Sequence, residues 1–239
     1  MSKKKQSAPQ RPENSPTPAG GSAGRRGLFI GGLIVAGVAL VAAAYFYIAS
    51  TMTAGGSADT STPTALESTH SPSFGDPAAR VHIVEFMDPA CETCALFYPA
   101  VKRLVAENAG RVRVSIRHVP FHEGSGYAVR LLEASRNQDR YWQTLEALLA
   151  SQANWAPNHV VRPALVREAV AGVGLDMARL QADMDSQAVV GRAERDLADA
   201  RALKLKATPE FFVNGRPLPS FGWEQLQTLV REELARAYP

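Results

Sequence analysis

The sequence predicts an α/β domain with an inserted helical block, preceded by one membrane-spanning helix and a flexible linker. Three features predict it: an apolar run of 22 residues at 28–49, a strand, helix and strand pattern over 81–121, and a helical block followed by two short strands and a last helix. A strand, a helix and a second strand in that order form a βαβ unit. The 46% hydrophobic content is that of a chain that folds around a core.

The apolar run at 28–49 is long enough to cross a bilayer as a helix, which takes about 20 residues. Six Lys and Arg side chains precede it, whereas 50–79 contains none. The positive-inside rule therefore predicts a single-pass protein of the cytoplasmic (inner) membrane, with a cytoplasmic N-terminus and a periplasmic, or extracytoplasmic, domain. A cleaved signal peptide is the alternative, although typical signal cores run only about 7 to 15 residues.

The composition on either side of this run predicts two unstructured segments. Residues 1–27 are rich in Ser, Pro, Gly and Lys and are expected to form a disordered cytoplasmic tail. Residues 50–75 are of the Gly/Ser/Thr/Pro kind and are expected to be a flexible linker, so the folded domain is placed at 76–239. Because the basic excess lies in the tail and not in the domain, no nucleic-acid partner is predicted.

The first half of the domain alternates between strand and helix. The apolar, β-branched stretch VHIVEFM at 81–87 predicts a central strand that is covered on both faces. Asp88-Pro89 ends it, and apolar residues at helical spacing predict a helix over 94–106. Alternation at 111–121 predicts a second strand.

The second half begins with a helical block at about 125–206. Apolar residues three or four apart predict five helices, over 127–135, 140–150, 162–171, 178–184 and 188–203. Asn214-Gly215 predicts a two-residue turn between short strands at 210–213 and 216–218. A last helix is predicted over 223–237.

Cys91 and Cys94 are the only cysteines, and three kinds of site can use such a pair. A structural disulfide between residues three apart closes a very small loop, so it stabilises the fold little. A zinc site needs about four ligands, and His118 with His122 are the candidates to complete it, although their spacing from the cysteines fits a compact zinc site only loosely.

A redox pair is the third possibility, and it explains more of the pattern. A helix that starts near Cys91 places this sulfur beside unpaired backbone N–H groups and the positive end of the helix dipole, which favour a thiolate. Cys91 is therefore predicted to be the attacking sulfur. Cys94, one turn further along the helix, is predicted to resolve a mixed disulfide on Cys91.

Glu85 places a carboxyl group inside an otherwise apolar strand. One interpretation is a polar residue on an exposed face, since carboxylates are rarely buried. The other is a desolvated acid with a raised pKa, which carries the proton of Cys94 during exchange.

Three motifs together resemble the thioredoxin superfamily, and its DsbA-like branch in particular. They are EFMDPACETC at the strand-to-helix turn, Pro99 five residues after the second cysteine, and ATPEFFVNG at 207–215. The resemblance covers about residues 74–238 and implies a thioredoxin-like fold in which the helical block is an inserted domain that shapes a substrate groove.

The resemblance also implies roles for particular residues. Pro209, preceded by Thr208, matches the family's cis-proline, which faces the cysteines and against which polypeptide substrates lie. Glu85 matches the family's buried acid, and Pro99 the proline that bends the active-site helix.

The sequence departs from the family's strong oxidases between the two cysteines. Those oxidases resemble Cys-Pro-His-Cys, whereas Glu92-Thr93 stand here. A glutamate is expected to raise the pKa of Cys91 relative to that pattern, which would make the disulfide less oxidising. Oxidase, isomerase and reductase therefore all remain open.

The predicted function is that of a membrane-tethered, extracytoplasmic thiol-disulfide oxidoreductase. Its expected clients are cysteine-containing exported proteins, and a separate redox partner is expected to reset the Cys pair. No cofactor and no metal are predicted. The alternative is a non-enzymatic binding module, either zinc-binding or a chaperone-like thioredoxin relative.

Overall fold

The computed structural model describes residues 64–239. The predicted tail at 1–27, the predicted membrane helix at 28–49 and most of the predicted linker lie outside the described residues. Among residues 64–239, no helix is both long and apolar enough to span a bilayer.

A five-stranded sheet forms the centre of the domain, in the order β1-β3-β2-β4-β5. Its strands are β1 (Ser73–Gly75), β2 (Val81–Met87), β3 (Val112–His118), β4 (Glu210–Val213) and β5 (Arg216–Pro217). β2 and β3 are parallel, and the other neighbouring strands are antiparallel. Parallel neighbours need a crossover connection, and the helix between β2 and β3 provides it. The predicted βαβ unit is thus present.

Among residues 64–239, eight α-helices surround the sheet. They are α1 (Glu92–Glu107), α2 (Ser125–Ser135), α3 (Tyr141–Ala150), α4 (Gln152–Trp155), α5 (Pro163–Ala169), α6 (Met177–Met184), α7 (Gln187–Ala202) and α8 (Trp223–Ala237). The predicted helical block at about 125–206 corresponds to α2 to α7. The helix predicted at 162–171 ends at Ala169 and continues as the 3-10 turn Ala171–Val173.

The sheet is buried on both faces, as the apolar sequence of β2 predicts. On one face, Val81, Ile83 and Met87 join the main core with α1 and α8. On the other, Val84 and Phe86 pack with Phe212 and with Ala200 of α7. Glu85 lies between Ile83 and Met87 in the strand, and alternation along a strand therefore turns it toward the α1 side.

The folded part begins earlier than the sequence predicts. The linker was expected to extend to residue 75, but Ser73–Gly75 pairs with the edge of β3, and Leu66 is only 2% exposed. Backbone pairing needs no apolar side chains, so a Ser- and Pro-rich composition does not reveal it. The boundary near Asp76 is therefore wrong, and residues 64–75 belong to the domain.

A buried ion pair fixes this segment to the rest of the fold. The fully buried Arg117 of β3 donates from Nε to Asp196 of α7 at 2.5 Å, and it also donates to Asp199. Its Nη1 donates to the carbonyl oxygen of Ala65 at 3.2 Å, and His70 Nε2 lies 2.9 Å from Asp196 Oδ1. The N-terminal segment, β3 and α7 are thereby held together.

Candidate active site

The two cysteines lie where β2 leads into α1. β2 ends at Met87, a short turn follows, and Cys91 is the N-cap of α1, as predicted. Both are free thiols; Cys91 keeps 5% of its surface exposed and Cys94 keeps none. Of the two, Cys91 is therefore the one that another protein can reach.

The Thr208-Pro209 loop lies beside Cys91, although 117 residues separate the two sites in the sequence. The thiol of Cys91 donates to the carbonyl oxygen of Thr208 at a sulfur to oxygen distance of 3.2 Å. The peptide bond between Thr208 and Pro209 is cis, as the resemblance implied. The sulfur and the loop thus face each other across the site.

Several groups hold the pKa of Cys91 at about 5, below its ordinary value of 9.0. The largest contribution is a hydrogen bond from the Cys94 thiol, and hydrogen bonds from Thr208 and the Cys94 backbone and the charge of His122 add to it, while partial burial opposes them. The predicted repulsion from Glu92 is not among these causes, since that side chain is exposed and water screens its charge.

The pKa of Cys94 is shifted in the opposite direction, well above its ordinary value. Burial is the main cause, and the hydrogen bond that its thiol donates to Cys91 and the charges of Cys91 and Glu85 act in the same sense. At neutral pH, the pair therefore combines an ionised Cys91 with a protonated Cys94.

Glu85 is completely buried, so its interpretation as an exposed strand residue is wrong. Neither of its carboxyl oxygens has a hydrogen-bond partner among the described residues. Burial and, secondly, the charge of Cys91 raise the pKa of Glu85 to about 8. The carboxyl group is thus neutral through most of the physiological range and able to exchange a proton near its upper end.

Asp88, which the sequence marks only as the end of a strand, is a buried centre of hydrogen bonds. Its Oδ1 accepts from the backbone N–H of Ala90 at 2.8 Å and from the hydroxyl of Ser125 at 2.6 Å. Its Oδ2 accepts from the backbone N–H groups of Phe121 and His122, at 2.7 and 2.9 Å, and from Nδ1 of His122 at 2.9 Å. Asp88 thus joins the cysteine turn to the loop between β3 and α2.

The inserted helices also hold the turn. The side-chain amide of Gln152 in α4 donates to the carbonyl oxygens of Pro89 and Cys91, at 2.6 and 3.0 Å. His159, which follows α4, contacts the carbonyl oxygen of Ala90 through Nδ1 at 3.2 Å. The helical insertion therefore supports the backbone on which Cys91 is mounted.

The two histidines considered as zinc ligands are engaged elsewhere. His118 is fully buried, and its Nε2 lies 2.7 Å from the hydroxyl of Tyr141, while His122 is bound to Asp88. Within the described part of the chain, no three His, Cys, Asp or Glu side chains are grouped in a way that would hold a metal ion. The geometry does not support the zinc-binding alternative.

Residues 67–232 match the family model described as Thioredoxin, and the chain belongs to this family. The predicted thioredoxin-like fold is confirmed, and α2 to α7 supply the inserted helices that the DsbA-like resemblance implied. The structure resembles that of a thioredoxin-like oxidoreductase from Silicibacter pomeroyi, with 27% identity and a TM-score of 0.64 over 74% of this chain and 99% of the other.

Two curated relatives illustrate where similar sequences occur. The chain is 25% identical to Disulfide bond formation protein D of Bacillus subtilis over 68% of its own length and 77% of that protein. It is 38% identical to the Na(+)/H(+) antiporter NhaA of Herminiimonas arsenicoxydans over 60% of its length. The chain spans only about a fifth of that antiporter, with a matching segment that covers 22% of it.

Proposed function

We propose that this protein is a thiol-disulfide oxidoreductase that donates its Cys91–Cys94 disulfide to cysteine-containing exported proteins. The observation that carries the proposal is the placement of the two sulfurs: Cys91 caps α1 with its sulfur 3.2 Å from the carbonyl oxygen of Thr208, whereas Cys94 is fully buried, and accordingly the pKa of Cys91 is lowered and that of Cys94 is raised. A structural disulfide does not require its two thiols to differ in pKa. A redox pair does, because one sulfur must ionise easily while the other keeps its proton.

The low pKa of Cys91 supports the direction from enzyme to client. A thiolate exists only in the reduced protein, so groups that stabilise it favour the reduced form and make the disulfide a stronger oxidant. The sequence left oxidase, isomerase and reductase open because Glu92 was expected to oppose the thiolate. Since Glu92 is not among the causes of the pKa shift, donation of the disulfide is favoured.

The exchange proceeds in two steps. A client thiolate attacks Cys91 of the disulfide, the client–Cys91 bond forms, and the sulfur of Cys94 leaves and takes up a proton, for which Glu85 is the proposed donor. A second client thiolate then attacks the client sulfur of the mixed disulfide and Cys91 leaves as a thiolate. The client gains a disulfide and the Cys91–Cys94 pair gains two electrons.

Clients are proposed to bind as extended segments against the Thr208-Pro209 loop, which adds backbone hydrogen bonds. The apolar side chains of Phe121 and Val160 are each 40% exposed and directly adjoin, in sequence, the two histidines that contact the cysteine turn. Exposed apolar side chains next to residues that contact the cysteine turn suit clients whose cysteines lie within the apolar segments of unfolded chains.

The sequence also supports a proposed location and a proposed redox partner. Residues 28–49 are proposed to tether the domain to the cytoplasmic membrane, with 1–27 on the cytoplasmic side and the thioredoxin domain outside. Because the chain contains two cysteines in all, a separate oxidising partner is proposed to regenerate the disulfide.

The test is disulfide transfer from the oxidised protein to a reduced peptide with two cysteines. Cys91→Ser should abolish transfer, and Cys94→Ser, activated at Cys91, should accumulate a stable mixed disulfide with a one-cysteine version of the peptide, which lacks the second thiol that would release it. Equal and small effects of the two changes would contradict these roles. Retention of unfolded clients by the double Cys→Ser variant, without any transfer by the unaltered protein, would instead favour the chaperone-like alternative.

The reduction potential decides the direction. Disulfide donors of this fold reach about −120 mV, whereas thioredoxin lies near about −270 mV. A value for the Cys91–Cys94 couple well above that of thioredoxin is expected, and a value near or below it would assign the protein to the reductases.

A further inference from the structure

Two histidines contact the turn that carries Cys91, and neither belongs to the segment between the cysteines. The imidazole of His122 donates from Nδ1 to Asp88 and stacks on the ring of His159, with ring centres 4.7 Å apart and planes 20° from parallel. His159 in turn contacts the carbonyl oxygen of Ala90, whose N–H is bound to Asp88. Asp88, His122, His159 and Ala90 thus form a closed set of contacts next to Cys91.

We propose that His122, held in place by Asp88 and His159, stabilises the Cys91 thiolate and sets the oxidising strength of the pair. It would supply, from the loop between β3 and α2, the positive charge that Glu92-Thr93 do not provide between the cysteines. The inference deepens the proposed function and rests on it.

The hydrogen bonds of Asp88 show that the imidazole is not required to satisfy the carboxylate. Without it, Asp88 still accepts from three backbone N–H groups and from the hydroxyl of Ser125. The side chain of His122 is 25% exposed, so it fills no core position either. Its contacts fix the direction of the ring more than they stabilise the fold.

The chemistry of those contacts leaves the second ring nitrogen free to carry a proton. A carboxylate can only accept, so Nδ1 of His122 must carry a hydrogen. The ring contacts Asp88 and His159, and the charge of His122 contributes to the lowered pKa of Cys91.

The experiment compares two replacements of His122 in the full chain. His122→Phe keeps an aromatic ring for stacking on His159 but removes the charge, whereas His122→Lys keeps a positive charge but removes the stacking. The readouts are the equilibrium of the Cys91–Cys94 couple with glutathione and the pKa of Cys91, followed by thiolate absorbance. His82→Gln is the control, since His82 lies on β2 and its Nε2 contacts the hydroxyl of Ser115.

His122→Phe is expected to make the disulfide about tenfold less oxidising at pH 6, a change of about 30 mV toward more negative potentials for a two-electron couple. It should also raise the pKa of Cys91, because the charge of His122 is among the causes that lower it. His122→Lys should restore at least part of the potential, and His82→Gln should leave it unchanged.

A lower melting temperature in both variants, with an unchanged potential and Cys91 pKa, would overturn the proposal and leave His122 a purely structural residue. If His122→Phe does not fold, a potential in His122→Lys equal to that of His122→Gln would overturn it in the same way. The unaltered protein distinguishes this outcome from failure of the proposed function. If the unaltered protein transfers no disulfide to clients, the proposed function itself is wrong.

Discussion

The sulfur of Cys91 lies 3.2 Å from the carbonyl oxygen of Thr208. The sheet brings them together, because β2 and β4 are antiparallel neighbours in which Glu85 is paired with Phe211. The end of β2 and the start of β4 therefore reach the same edge of the sheet. The reactive sulfur and the loop proposed to bind clients are thus positioned by strand register rather than by a flexible segment.

The hydroxyl of Thr208 is buried beside Cys91 and has no other hydrogen-bond partner among the described residues, so it can donate to the Cys91 thiolate and contributes to the low pKa of that thiol. Thr208→Val removes the hydroxyl and keeps the shape of the side chain. Because a hydrogen bond is worth about 1 kcal/mol, we expect the pKa of Cys91 to rise by about 0.7. Thiolate absorbance of the reduced protein between pH 3 and pH 9 measures it.

Thr144→Val is the matched control for this change. Thr144 is also buried, but its hydroxyl donates to the carbonyl oxygen of Arg140 within α3. That variant should lose some stability and keep the pKa of Cys91. An equal pKa in the two variants would show that the Thr208 hydroxyl has no part in stabilising the thiolate.

The sequence was sufficient to predict those parts of the site that depend on local pattern. The strand at Val81–Met87 and the helix start near Cys91 follow from periodicity and from a strand that is apolar on both faces, whereas the sequence left two interpretations of Glu85 open. The network around Asp88 could not be predicted in this way. It depends on two loops, at 119–124 and 156–162, that approach the cysteine turn only in the folded protein.

His122 illustrates how a sequence pattern can point to the wrong chemistry. Its spacing of four from His118 suggested a shared metal site. In the structure, however, His118 contacts Tyr141 while His122 contacts Asp88. The more informative feature was the Asp-Pro dipeptide, which seemed only to end a strand. A carboxyl group beside a cysteine pair needs hydrogen-bond donors, and these come from elsewhere in the fold.

The reduced protein should be more stable than the oxidised protein at neutral pH. Cys91 has a folded-state pKa of about 5 against 9.0 ordinarily, so its thiolate adds stability that is complete above pH 9 and is lost as the pH falls through 5. The disulfide form has no thiolate, and its small loop adds little. We expect an advantage for the reduced form on the order of 2 kcal/mol at pH 7 and none at pH 4.

Urea denaturation of both redox forms at pH 4, 5.5 and 7 measures this difference. Cys91→Ser, which cannot form the thiolate, serves as the control and should lack the pH-dependent part. A more stable oxidised form at pH 7 would mean that the disulfide is not an oxidant, and the proposed direction of exchange would then have to be reversed.

Glu85→Gln should stabilise the protein at alkaline pH while it slows exchange. Glu85 has a folded-state pKa of about 8 against 4.5 ordinarily, so the folded state retains its proton while the unfolded state loses it. The favourable contribution is present below pH 4.5 and is lost as the pH rises through 8. Glutamine has no charge to desolvate, so the variant's advantage in the free energy of unfolding should grow from pH 5 to pH 9.

Denaturation of the oxidised protein is the appropriate measurement, because the charge of the Cys91 thiolate is then absent. The rate of disulfide transfer should fall in the same variant near neutral pH, where the carboxyl group of Glu85 is proposed to exchange a proton with Cys94. An unchanged rate with an unchanged pH profile would leave Glu85 as a buried acid without a part in the exchange.

Asp196→Asn should be among the most destabilising single changes outside the site. Asp196 accepts from Nε of the fully buried Arg117, from the backbone N–H of His118 and from His70. Asparagine leaves Arg117 with only Asp199 as an anionic partner. Loss of one partner from a buried pair leaves a poorly compensated charge, so a loss of about 3 kcal/mol in the free energy of unfolding is expected.

Lys102→Ala tests whether this effect comes from burial of the pair. Lys102 donates to Glu146 at 2.6 Å, but both side chains are about half exposed, at 48% and 47%. Exposed ion pairs contribute little, so this change should cost less than about 1 kcal/mol. Urea denaturation of both variants at pH 7 gives the comparison. Equal losses of stability would mean that Asp199 and the carbonyl oxygen of Ala65 compensate the charge of Arg117 without Asp196. The N-terminal segment would then be held by its backbone pairing alone.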